Sequence, residues 1–224
     1  MKSSSAKKSA LRSLARKRQK AAWEGYKNIG DYYDGAYECL HVSPYTKSAD
    51  NLDSPIMVFL QDWTSDDSIR RGFHADSVTH GQAPELPTNR NLVALLKEHF
   101  DLALGDVYAT NLFPFIKPGH MGKSIPRRDL LRAAQEFGLP QIEIIKPRLV
   151  ICLGKATFNA IREAAGFEGM PDVGSAIAKP FNLGKARIWC QAHTGGQGQA
   201  MRNAGKRRVP GDWSRMRKEF QKAA

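Results

Sequence analysis

The chain has 224 residues, 42% hydrophobic and 25% charged, with a formal net charge of +12. That length can bury its own core without disulfide or metal staples, and the composition excludes wholesale disorder. No apolar run approaches the roughly 18 residues of a membrane-spanning helix. The three scattered cysteines, Cys39, Cys152 and Cys190, exclude a zinc ribbon or a four-cysteine iron–sulfur cluster.

Residues 1–20 carry eight Lys/Arg and no Asp or Glu, with Leu11, Leu14 and Ala15 at helical spacing. Residues 1–24 are read as a basic N-terminal arm before a single α/β domain over 25–224. An arm of this kind fits a polyanion, and its removal is expected to flatten the salt dependence of binding. Its Ser-, Lys- and Arg-rich, acid-free composition also fits an organelle-targeting segment. Residues 24–55 receive no assignment.

A short apolar run over 56–60 predicts the first strand, stopping at Gln61-Asp62. Helical spacing of Leu92, Leu95 and Leu96 predicts a helix over 91–100. Residues 106–110 predict a second strand, ending at Asn111. A helix over 129–137 is expected to stop at Gly138 and Pro140. Residues 149–153 are a continuous apolar strand, with Gly154 turning into a helix over 156–165. Residues 186–191 predict a fourth strand, ending at His193. A basic helix over 213–222 closes the chain. Strands separated by helices imply a three-layer α/β/α fold around a central four-stranded, mainly parallel sheet. Residues 119–124 end like a phosphate loop, but Lys117 stands where its first glycine belongs, and Pro118 and Pro126 deny the strand–loop–helix context. His74, Asp76 and His80 match no metal-ligand spacing, so no metal is expected.

In open parallel sheets the ligand site lies beyond the carboxyl ends of the strands. Gln61-Asp62, Asn111 and His193 follow three of the four predicted strands, and Thr194-Gly195-Gly196-Gln197-Gly198 comes after His193. One carboxylate, one amide, one imidazole and a glycine loop therefore converge on one crevice.

With these residues in this order, the chain resembles the uracil-DNA glycosylase superfamily over roughly residues 56–200. Gln61-Asp62 resembles the first motif of that family, Asn111 its base-reading asparagine, Lys146-Pro147-Arg148 through Leu153-Gly154 its structural strand segment, and His193 its last motif. The chain departs from the family at Leu60, Trp63 and Thr64, where the family has Gly, Pro and Tyr. Thr-Gly-Gly follows His193 where the family has Pro-Ser-Pro. The resemblance implies a monofunctional DNA glycosylase that hydrolyses the N-glycosidic bond of uracil or a related base without a cofactor. The alternative is a non-catalytic DNA-binding member of the same fold.

The resemblance implies a role for each residue. Asp62 would hold the water and face the sugar cation, as carboxylates do in glycoside hydrolysis. Neutral His193 would donate to the departing base where charge develops. Asn111 would pair with the base edge, beside Gln61. Phe73 would stack on the flipped base. Thr64, far smaller than Tyr, would leave room beside C5 unless Trp63 fills it, which implies a substrate range broader than uracil. Gly195, Gly196 and Gly198 would approach DNA phosphates, with Arg202, Lys206, Arg207 and Arg208 adding charge. The expected partner is DNA, with no membrane, for a monomer in the cytoplasm or nucleoid.

Overall fold

In the computed structural model, which describes residues 3–222, period-two alternation builds the centre of the molecule. Along β1 (Ile56–Asp62), Ile56, Val58 and Leu60 enter one core, and Met57 and Phe59 enter the other. β2 (Tyr108–Phe113), β3 (Leu149–Leu153) and β5 (Ala186–Gln191) pair in parallel in the order β2-β1-β3-β5. The sheet has five strands, not four. The fifth, β4 (Phe181–Leu183), pairs antiparallel at the edge of β5. It is too short to leave a pattern in the sequence.

Helices cover both faces, as the buried alternation requires. α4 (Pro87–Phe100) and α10 (Arg208–Lys222) lie over the face that carries Ile56, Val58 and Trp189, inserting Leu92, Leu96, Trp213 and Met216. The opposite core takes Leu130, Phe158 and Ile161 from α5 (Arg127–Ala133) and α7 (Lys155–Ala164), Ile142 from α6 (Leu139–Ile145) and Ala176 from α8 (Val173–Ala178). Two short helices, α2 (Asp66–Ile69) and α3 (Ala75–His80), follow β1, and α9 (Gly196–Asn203) follows the His193 loop. No helix among the described residues is long and apolar enough to cross a membrane.

Two expectations change. Gly138 and Pro140 do not stop the chain's helical course. One wide turn, Ala134–Gly138, leads from α5 into α6, where Pro140 occupies the first turn and needs no hydrogen-bond acceptor. A side chain at Gly138 would collide at 2.8 Å with Leu112 and Ile161, so glycine here serves packing.

The basic arm expected over 1–24 is, along α1 (Ser4–Lys20), a helix packed on the body. Leu11 and Ala15 are buried, and Leu11 joins the same core as Leu130 and Phe137. Lys7 pairs with Asp53 at 2.9 Å, and Lys17 with Glu136 at 3.1 Å. Arg18 is fully buried, its guanidinium bidentate on Glu38 at 2.6 and 2.7 Å and bonded to the carbonyls of Cys39 and His41. Lys8, Arg12 and Arg16 remain on the outer face.

Candidate active site

Gln61, Asp62, Thr64, Phe73, Asn111 and His193 all line one cavity of about 730 Å³. β1 delivers the first pair at its carboxyl end, and the loop after β5 delivers His193. Asn111 differs from its expected place. It lies inside β2, not after it, paired in register with Leu60. Alternation puts it on the face of Val107 and Ala109, where it is a buried amide continuing an apolar stripe. Its Oδ1 accepts from Ser43 Oγ at 2.6 Å, and its Nδ2 is buried without a partner.

Asp62 is almost fully enclosed. Gln61 Nε2 donates to its Oδ1 at 3.0 Å, so the glutamine braces the carboxylate. Lys117 Nζ lies 2.9 Å from Oδ2, a buried ion pair. Lys117 is itself buried and lines the cavity. Its peptide is fixed by Asp66 N–H donating to its carbonyl at 2.8 Å, and its Nζ also donates to Met121 O. Sequence reasoning passed over this residue as the wrong side chain in a phosphate loop. A lysine inside an otherwise apolar stretch, Phe115-Ile116-Lys117, was the available clue.

His193 has a defined tautomer. Its Nδ1 accepts from the Gly195 backbone N–H at 3.0 Å, which leaves the proton of the neutral ring on Nε2. Burial pushes its pKa below the ordinary histidine value. Asp62 opposes that shift and Lys117 reinforces it.

The glycine loop holds this histidine. A Cβ at Gly198 would meet His193 O at 2.4 Å and its Cβ at 2.8 Å. We expect Gly198→Ala to displace the His193 ring with little loss of melting temperature, read as a shift of its imidazole resonances in NMR spectra. Gly196 is exposed with open space around it.

Acid should unfold the protein through its neutral histidines. Burial lowers the pKa of His41 and His99 as well as His193. The unfolded chain then binds more protons as pH falls below about 6.5. Their stabilising contribution is complete above that value and lost below it. The expected slope is about 1.4 kcal/mol per pH unit for each histidine that stays neutral, read from denaturant melts between pH 7 and 5.

Phe73 is 54% exposed at the cavity rim, with Tyr33 and Tyr37 ring centroids at 5.6 and 5.7 Å. Trp63 is tethered. Its Nε1 donates to Gly81 O at 2.8 Å, and its ring meets Tyr37 edge-on at 5.4 Å. Trp63 and Thr64 both line the cavity.

Of the four cations assigned to DNA, Lys206, Arg207 and Arg208 are exposed. Arg202 is not free. It makes a bidentate pair with Asp212 at 2.7 and 3.0 Å, which ties α9 to α10. No family model matches the chain, and no curated protein matches it.

Proposed function

We propose that the protein is a DNA glycosylase with a uracil-DNA glycosylase-like site, Asp62 facing the sugar, His193 Nε2–H meeting the departing base and Asn111 reading its edge. The observation that carries this is the Asn111 amide. Ser43 occupies its Oδ1, so the amide is left with N–H donors to offer in the wall of the cavity that also holds a braced carboxylate and a neutral imidazole. A carbonyl-bearing base satisfies such a donor.

Asp62 supports catalysis over mere DNA binding, because a buried carboxylate gains nothing from nearby phosphates. The exposed Phe73 ring offers a stacking face for a flipped base, which must first leave the duplex stack at a cost of a few kcal/mol. The small side chain of Thr64 in the cavity wall favours 5-substituted uracils alongside uracil itself.

The test is single-turnover base release from oligonucleotides bearing uracil, 5-hydroxymethyluracil, thymine opposite guanine, hypoxanthine or xanthine, followed by alkaline cleavage of abasic sites. Release of a pyrimidine with a 5-substituent, and its suppression in Thr64→Tyr, is the expected result. Binding to all these strands with no base released from any supports the non-catalytic alternative.

A further inference from the structure

We propose that Lys117 is an amine nucleophile and that the protein also nicks DNA at abasic sites through an imine. As regards the base-bearing substrate, this rests on the glycosylase reading above. On DNA that already lacks a base it stands alone.

The placement is specific. Lys117 is 4% exposed, at the wall of the cavity that holds Asp62, His193 and Asn111. Its backbone is held on one side by the bridge to Ser65 and on the other by Ile116 N–H donating to Lys27 O at 2.9 Å. Its only carboxylate neighbour within ion-pair distance among the described residues is Asp62, 2.9 Å away. Its ammonium is held between Asp62 Oδ2 and the Met121 carbonyl, both in residues that line the same cavity. A lysine whose Nζ lies 2.9 Å from a carboxylate oxygen has a proton acceptor beside it.

The chemistry balances with these groups and water. Asp62 Oδ2 takes one proton from the Lys117 ammonium, freeing the Nζ lone pair. That pair bonds to C1′ of the deoxyribose as the C1′–N bond to the base breaks, and the base leaves with those electrons. The base anion takes the extra proton from the new secondary ammonium. Protonated Asp62 then gives its proton to O4′ as the C1′–O4′ bond breaks, and the nitrogen lone pair forms the C1′=N iminium. The restored Asp62 carboxylate removes a C2′ proton. The resulting enamine expels the 3′-phosphate by breaking C3′–O, and water hydrolyses the conjugated iminium, returning the amine. At a preformed abasic site the amine condenses with the open-chain aldehyde, releasing water, and the same elimination follows.

The experiment uses the full chain, an oligonucleotide with a preformed abasic site and, separately, the base-bearing oligonucleotides, with sodium borohydride added. Hydride reduces the iminium to a stable secondary amine, so a protein–DNA adduct persists on a denaturing gel. Peptide mass mapping assigns the attachment point. The expected result is an adduct at Lys117, with a nicked strand when borohydride is omitted, and loss of both in Lys117→Arg. Arginine keeps the positive charge beside Asp62 but forms no such imine. Absence of the adduct, attachment to a lysine of α1, or an undiminished adduct in Lys117→Arg overturns the proposal. If Lys117→Arg does not fold, the attachment point in the unaltered protein decides. Base release without an adduct refutes the lysine and leaves the glycosylase standing. An adduct at Lys117 on abasic DNA with no base released from any strand does the reverse.

Discussion

Asp62→Asn should lower single-turnover base release by about 10³-fold while DNA affinity changes little. The carboxylate is nearly enclosed, and its charge lies where a sugar cation would form. The amide keeps the size and the contact with Gln61 but loses the charge and the proton-accepting oxygen. It also leaves the buried Lys117 ammonium without its counter-ion, so folding must be checked by melting before rates are compared. A folded Asp62→Asn protein that releases base at the unaltered rate would remove Asp62 from the chemistry.

The second large effect is on stability. Arg18→Ala should cost about 3–5 kcal/mol, a drop in melting temperature on the order of 10 °C. Burial pushes the Glu38 pKa up, and the bidentate guanidinium more than offsets it, so the carboxyl sits below its usual range. Removing the arginine leaves that carboxylate half-buried and unpaired, and strands two backbone carbonyls. The double change Arg18→Met with Glu38→Leu should recover most of the loss, because no lone charge remains. Deleting residues 1–20 would thus be expected to destabilise the body, not only to flatten a salt dependence. Equal melting temperatures for Arg18→Ala and the unaltered protein would show that the Arg18–Glu38 pair contributes nothing to stability.

The sheet was largely legible in the sequence. β3 lies where its apolar run placed it, since a strand buried on both faces has no polar interruptions to blur its ends, and β5 was found despite Arg187 and Gln191 within it. β2 was less so. Asn111 resembles a turn residue, but it sits within the strand because Ser43 takes up its carbonyl oxygen. α1 was legible as a helix in the spacing of Leu11, Leu14 and Ala15, but its docking on the body was not. Its buried Lys7 and Arg18 find Asp53 and Glu38, 46 and 20 residues away, partners that no local pattern reveals. Lys117 was missed for the same reason. Its meaning comes from Asp62, a contact made across the sheet's carboxyl edge.

The Ser43 contact to Asn111 also bears on what the cavity can select. With Oδ1 already accepting from Ser43 Oγ, the orientation of the amide is set and only its N–H donors remain to offer. A group that meets this amide must therefore bring an acceptor, and one that brings a donor is turned away by the fold itself, before any other contact is counted.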